Sequence, residues 1–396
     1  MQHHSNSMRE KNYRKVEIPE EYGPLNSVLH VDKENKVARV GARTTMECLL
    51  NALLPLGLVP KVVPEFKGIT VGGAVNGGAI ESTSCRHGQF NDSCTGYTFL
   101  TGKGVIEASP EENSDLFYGV SGSYGSLGIM LEAEMDLTST QGYMRVEYHS
   151  FPNPGEALAF MKGLKTDAIE AMVFQKGRTV VVSALDISET EAAKLPSYKS
   201  KHPASEWFYS HADKIAAEKT QGYAESMSIK DYLFRHDRGA FWMVGYALHP
   251  EILLRFWAHK IRSMFEREGK ADETFLKYAN PRNPGILFRT FFGWLLDSQV
   301  LYGCLHNGSE GWFERHFSIQ DYYIPWSAAE SFILEVLDKI RITPLWLCPV
   351  RPTGTPQYFS PHYRGENEEM LLNIGVYGIP FEGGGEKAVR HMEALA

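Results

Sequence analysis

Cysteine is scarce in this chain: five residues in 396, at 48, 85, 94, 304 and 348, with no CxxC pair. Such spacing excludes a disulfide framework, offers no zinc ligand set, and fits a reducing compartment, so no metal is expected. A basic excess is also missing. The formal net charge is −8, and Lys and Arg are scattered rather than striped, so nucleic acid is not an expected partner. The opening segment "MQHHSNSMREKNYRK" has no apolar core and reads as neither signal peptide nor anchor. One apolar run, "GILFRTFFGWLLDSQVLYG" from Gly285 to Gly303, nears membrane length, but Arg289 and Asp297 interrupt it. It reads as a buried or interfacial segment and leaves a peripheral membrane contact open. The cytoplasm or the cytosolic face of a membrane is the expected location. No repeat, low-complexity tract, Walker lysine or GxGxxG is present, and no protein partner is expected.

What the chain does have is ordinary globular composition, 43% hydrophobic and 22% charged, at a length beyond what one core serves. Two domains are expected, residues 1–140 and 141–396. In the first, "SVLHVDKENKVARVGA" alternates around a polar turn as a hairpin does. "TTMECLLNALLPLG" has Thr44 or Thr45 as N-cap, Glu47 in the first turn and Gly57 as the stop of a helix. "LVPKVV" reads as a strand, "CTGYTFLTGKGVIEAS" as a hairpin turning at "TGKG", and "SDLFYGVSGSYGSLGIMLEAEMDLTS" as a short helix, a glycine turn and a long strand. Past residue 140, "HSFPNPGEALAFMKGL" leads into a helix and "AIEAMVFQKGRTVVVSALDI" forms a strand pair. The late segments "PLWLCPV" and "LLNIGVYGIP" are strands. The expected class is α+β, with an antiparallel sheet in the second half.

Glycine is concentrated in "EFKGITVGGAVNGGAIESTSCRHGQF", Glu65 to Phe90, read as a loop between strands. Gly72, Gly73, Gly77 and Gly78 form two pairs around Asn76, with Thr70, Ser82, Thr83 and Ser84 beside them. Bare backbone N–H groups with short hydroxyls suit a ligand rich in acceptors, because each oxygen must recover the hydrogen bonds it gave up to water. Tight turns explain one glycine pair as well as a ligand does; two pairs weaken that explanation. A second glycine run, "GVSGSYGSLG", places glycines at 119, 122, 125 and 128 in the same domain.

The order of these segments resembles the FAD-binding domain of the vanillyl-alcohol oxidase/p-cresol methylhydroxylase (PCMH-type) superfamily. "VPEFKGITVGG", "AIESTS", "ENSDLFYGV" and "GSLGIMLEAE" carry the likeness, and "FRTFFGWLL", "QDYYIPW", "PLWLCPV" and "LNIGVYGIP" direct it to the delta(24)-sterol reductase branch. The resemblance implies a PCMH-type FAD-binding domain followed by an α+β substrate domain. It implies FAD contacts at Thr70, Val71, Gly72, Gly73, Asn76, Gly77, Gly78, Ile80, Glu81, Ser82, Ser84, Gly88, Gly122, Gly125, Gly128 and Ile129. FAD is expected to be held without a covalent bond, although His87 invites comparison with relatives that attach flavin through histidine. Relatives open with a βαβ-like half carrying a pyrophosphate turn and run on past the present C-terminus, so both ends are expected to be cut, with FAD retention at stake. For the branch, location at the endoplasmic reticulum membrane is implied.

The implied reaction is reduction of a sterol side-chain carbon–carbon double bond with hydride from NADPH through FAD. An isolated alkene needs a proton donor in a dry pocket. Asp321, Tyr322, His362 and Tyr377 are the candidates taken forward, from a set that also holds Tyr323 and His316. Two other readings stand beside this one. A flavoenzyme of the same fold acting on a hydroxy acid, alcohol or other lipid would use a basic clamp such as Arg351, and a non-catalytic remnant would bind no flavin.

Overall fold

The computed structural model describes residues 22–247 (without 201, 203 and 204), 316–380 (without 356, 357, 361 and 364–368) and 384–396. Positions 19, 254, 281, 285–287, 290 and 297–300 are described individually. Most of the apolar run 285–303, including Trp294 and the pair Phe291 and Phe292, lies outside the described residues. Among the described residues no helix is long and apolar enough to cross a membrane.

A six-stranded sheet occupies the first third of the chain. Its strands are β1 (Val28–Asp32), β2 (Val37–Gly41), β3 (Leu58–Pro60), β4 (Cys94–Thr101), β5 (Gly104–Ala108) and β6 (Ile129–Ser139). They lie in the order β1-β2-β6-β4-β5, with β3 also on β6, and every pairing is antiparallel. β6 is long because its burial alternates over eleven residues, one face on the core and one toward solvent. Thr45 caps the helix Met46–Leu53 by accepting the Cys48 N–H at 3.2 Å, and Gly57 ends the following turn at φ +72°.

The second sheet is built from β7 (Tyr143–Phe151), β8 (Ala168–Val173), β9 (Thr179–Ile187), β10 (Tyr223–Ser228), β11 (Ser318–Pro325), β12 (Leu345–Val350) and β13 (Leu371–Gly378). Their order is β10-β7-β9-β8-β12-β13-β11, again antiparallel throughout. β8, β12 and β13 are buried at every residue, so they read as continuous apolar runs without alternation. Helices Pro154–Gly163, Trp326–Glu335 and Gly384–Leu395 supply the cover on one face, where Leu158, Phe332, Leu347, Ile374 and Met392 form a core. The opposite face carries Met172, Trp346 and Tyr377 and shares a continuous core with the first sheet's unit.

The glycine-rich stretch departs from the loop its composition suggests. Val71–Gly77 is a helix, capped by Thr70, whose hydroxyl accepts the Gly73 N–H at 3.2 Å. Gly72 is needed for contact: its N–H donates to Ala42 O at 2.8 Å, and a Cβ there would lie 3.1 Å from Ala42. Close approach to the β2 end thus outweighs glycine's weak helix propensity.

Candidate functional site

A cavity of about 380 Å³ opens where the first sheet's unit meets the inner face of the second sheet. Gly77, Gly78, Ala79 and Ile80 form one wall, Ser121, Gly122 and Tyr124 a second, and Asp321, Tyr323, Trp346 and Tyr377 the facing side. Two sequence-distant glycine segments therefore share one space. Asn76 joins them: its side-chain amide donates to Gly72 O at 2.7 Å, its carbonyl oxygen accepts from Ser123 Oγ at 3.2 Å, and its backbone O accepts the Tyr124 N–H at 3.2 Å. Gly78 takes φ +64° to close the helix, and Gly122 at φ +76° lets Phe359 O approach within 2.6 Å of where a Cβ would stand. Over Gly77 there is open space within 4 Å.

The facing side follows from strand alternation and register. Ile319, Asp321 and Tyr323 share the cavity face of β11, and β13 sets Tyr377, Gly375 and Asn373 opposite them in turn. Gly375 makes room: a Cβ there would fall 2.5 Å from the Tyr377 hydroxyl. Tyr377 thereby donates its O–H to Asp321 Oδ1 at 2.6 Å, and Asn373 Nδ2 donates to the same oxygen at 2.8 Å. Desolvation nevertheless raises the Asp321 carboxyl above its ordinary value, outweighing both donors. Glu65, on the same cavity, is pushed up to about 8 by burial, with Glu81 and Asp321 as like charges adding to it. Tyr323 is raised far above its ordinary value, first by burial. Carboxyls and phenols raised by burial are the titratable groups of this space.

Several of the residues expected at a cofactor lie elsewhere. Val71 is in the core, and Thr70, Gly72 and Gly73 serve the helix and its contact with Ala42. Glu81 and Ser82 are fully buried beside the cavity wall: Glu81 pairs with Arg235 Nη2 at 2.7 Å, and its second oxygen takes the Ser82 hydroxyl. Ser84 is buried, its hydroxyl accepting the Glu81 N–H at 3.0 Å. Gly88 is a turn at φ +74°, while Gly125 (φ +78°), Gly128 (φ +155°) and Ile129 lead from the second glycine run into β6. Of the four proton-donor candidates, Asp321 and Tyr377 meet at the cavity. Tyr322 points the other way, into the outer core against Phe332 at 5.4 Å. His362 sits behind the wall, fully buried, with Nε2 2.6 Å from Asp92 Oδ2. Arg351 is exposed and donates to Arg86 O at 3.2 Å, away from the cavity, whose described lining contains neither Arg nor Lys.

A buried ionic cluster anchors the cavity from behind. Arg235 Nε donates to Glu170 Oε1 at 2.7 Å, and Arg235 also pairs with Glu81. The other Glu170 oxygen meets His236 Nε2 at 2.8 Å and Trp346 Nε1 at 2.8 Å. Burial alone would raise the Glu170 carboxyl, but Arg235 and His236 hold it well below the usual carboxylate range. His236 is lowered, chiefly by burial, against the pull of Glu170. Trp346 belongs to both the cluster and the cavity wall, so the ionic core fixes a residue the ligand would touch. The sequence offered a signal for this cluster in "RHDR" (235–238), four charged or titratable residues inside an aromatic stretch. Gln89, Ser121 and Ser360, which also line the cavity, carried no such signal.

With this geometry in view, comparison with known proteins places the chain in a class. Residues 22–109 match the FAD binding domain family, so this is an α+β protein with an FAD binding domain. Beyond that domain the likeness is to the delta(24)-sterol reductases of animals and plants. Identity to the Homo sapiens delta(24)-sterol reductase is 26% over 379 residues, 93% of this chain and 64% of that protein. Identity to the Pisum sativum delta(24)-sterol reductase is 27% over 437 residues, 98% of this chain and 69% of that protein. Cytokinin dehydrogenase 9 of Oryza sativa subsp. japonica is 33% identical over 107 residues, 26% of this chain and 20% of that protein. The chain thus spans less than two thirds of the length of the mammalian relatives it matches.

Proposed function

We propose that the protein is an FAD-dependent oxidoreductase that reduces an isolated carbon–carbon double bond in the side chain of a sterol-like lipid, with NADPH as the electron donor. The observation that carries this reading is the single cavity shared by Gly77, Gly78 and Gly122 on one side and Asp321 hydrogen-bonded to Tyr377 on the other. The residues present fit a flat, multi-acceptor ring. Open space over Gly77 and side-chain-free backbone at Gly78 and Gly122 leave room that a Cβ would take, and the opposite wall offers hydroxyl and carboxyl partners. Bound FAD would supply two-electron hydride chemistry; Gly77, Gly78, Ile80 and Gly122 would hold its ring.

Asp321 holds the proton that the second alkene carbon needs. Its Oδ1 accepts from both Tyr377 and Asn373, which leaves Oδ2 to carry the hydrogen. Ile69, Ile319 and Trp346 exclude water around it, and the burial that raises the carboxyl favours its protonated, donating form where solvent does not compete. An apolar substrate is favoured over a hydroxy acid because no described lining residue is cationic and Arg351 lies away from the cavity.

The test is anaerobic incubation of FAD-reconstituted protein with NADPH and a sterol carrying a side-chain double bond. Bleaching of the flavin bands and a product heavier by two hydrogens are expected. Asp321→Asn should leave bleaching by NADPH intact and lower product formation by roughly 10²–10⁴-fold, the span of general acid catalysis. Flavin that NADPH does not bleach would refute the reductase reading, and protein that cannot be reconstituted would favour a non-catalytic remnant.

A further inference from the structure

Asp92, His362, Ser360, Gln89 and Tyr323 form one hydrogen-bonded chain that ends on the cavity. Asp92 Oδ2 lies 2.6 Å from His362 Nε2 and also accepts the Gln89 backbone N–H at 2.7 Å. His362 Nδ1 lies 2.6 Å from Ser360 Oγ, which is 2.9 Å from Gln89 Oε1. Gln89 Nε2 lies 2.9 Å from the Tyr323 hydroxyl. His362 is fully buried and Ser360 nearly so, which keeps water from competing for these bonds. Gln89, Ser360 and Tyr323 all line the cavity.

Donor and acceptor counting gives the chain two directions. As a carboxylate Asp92 only accepts, so His362 Nε2 carries a hydrogen in both. With Nδ1 bare, the Ser360 O–H must point at it. Gln89 then turns its amide hydrogens to Ser360 and its carbonyl to Tyr323, whose O–H is drawn inward. With Nδ1 protonated, the Ser360 O–H turns to Gln89 Oε1, the Gln89 amide donates to the Tyr323 oxygen, and the Tyr323 hydrogen is left for the cavity. Oε1 lies toward Ser360 and also 3.1 Å from Ser121 Oγ, and Nε2 lies toward Tyr323, so the two serine hydroxyls together hold the amide in the outward-donating order.

We propose that Tyr323 is a ligand-contacting hydroxyl donor in the cavity, and that the Gln89 amide, held in turn by Ser360, His362 and Asp92, positions its hydrogen. The matching ligand presents an acceptor at Tyr323: a carbonyl or hydroxyl oxygen, or a ring nitrogen. This rests on the reading of the cavity as the ligand site. The phenol's upward displacement by burial keeps it an O–H in both directions. The titratable groups acting on the Tyr323 hydroxyl are Asp321 on β11, Cys348 on β12 and Asp92. Cys348 is raised well above its ordinary value, first by burial, and stays protonated.

Carbon-13 at tyrosine Cζ reports the hydroxyl's donor state, and it is followed in the full-length protein at pH 7 without flavin or sterol. Tyr323→Phe assigns the signal. Ser360→Ala and His362→Gln, whose side chains reach Tyr323 only through Gln89, are each expected to shift the Tyr323 Cζ resonance and to leave Tyr322 unmoved. Either variant alone suffices if the other does not fold. A Tyr323 resonance that neither variant moves overturns the proposal. Because no cofactor or substrate enters the tube, this result is separable from the test of the reductase reading.

Discussion

Replacing Arg235 by Met tests whether the buried cluster holds the cavity together. The side chain makes two ion pairs at 2.7 Å, donates to Tyr232 O at 2.9 Å, and lies 4.2 Å from the Tyr232 ring centroid. Met keeps most of the apolar stem's packing, so the loss is chiefly electrostatic. Removing one partner of a buried pair costs about 3–5 kcal/mol, because the remaining charge is stranded. Here two carboxylates are stranded, which places Arg235→Met at the upper end of that range. Urea unfolding at pH 7, read as a lower midpoint at unchanged slope, measures it. The sign with pH is fixed. Glu170 is depressed in the folded protein, so its stabilisation is present above its ordinary value of 4.5 and fades as pH falls below it. In Arg235→Met the stranded carboxyls should instead take up protons on folding, so the gap to wild type should shrink toward acid. A penalty under about 1 kcal/mol at pH 7, the size of an exposed pair, would refute the reasoning.

Further outcomes are expected at the cavity. Glu65, raised to about 8, holds a proton in the folded state that the unfolded chain releases near 4.5. Wild type should therefore lose stability relative to Glu65→Gln as pH rises between those values, by at most about 1.4 kcal/mol per pH unit; parallel unfolding curves across that window would contradict this. A Cβ at Gly77 meets nothing within 4 Å, so Gly77→Ala should change the melting temperature little, while the bulkier Gly77→Leu should lower FAD retention, followed by flavin fluorescence, at least tenfold. Retained FAD would return Gly77 to a purely structural role. Gly375→Ala forces Tyr377 off Asp321 and should reduce turnover as Asp321→Asn does; an unchanged rate would separate the Tyr377 bond from proton delivery. Gly78→Val carries a side chain at φ +64° with its Cβ 3.1 Å from Gln89 Oε1, and should lower stability by about 1–3 kcal/mol in thermal melts.

Much of the fold was legible because local rules and tertiary packing agree there. Thr45 and Gly57 bracket their helix, Asn153 caps Pro154–Gly163, and "TGKG" turns β4 into β5. The segment 71–77 reads as a loop because three of its seven residues are glycine, whereas the Thr70 cap and the Gly72 contact with Ala42 stabilise a helix that composition alone cannot reveal. In the candidate site, Asp321 and Tyr377 are 56 positions apart and become neighbours only through the β11–β13 register. Tyr322, one residue from Asp321, is sent to the opposite core by strand alternation, a distinction that requires knowing which face is covered. The partnership of Glu81 with Arg235 could not be read because nothing in either local sequence names the other.

That partnership also bears on how the chain acquires its shape. Glu81 and Arg235 are 154 positions apart, and Glu170 and Trp346, which share the cluster, are 176 apart. Closing such loops costs entropy before any contact repays it, and folds dominated by distant pairings consolidate slowly. During synthesis Glu81 of the glycine-bearing segment would wait for Arg235 to emerge, and Glu170 of β8 for Trp346 of β12, so late-arriving residues govern when the early ones become ordered.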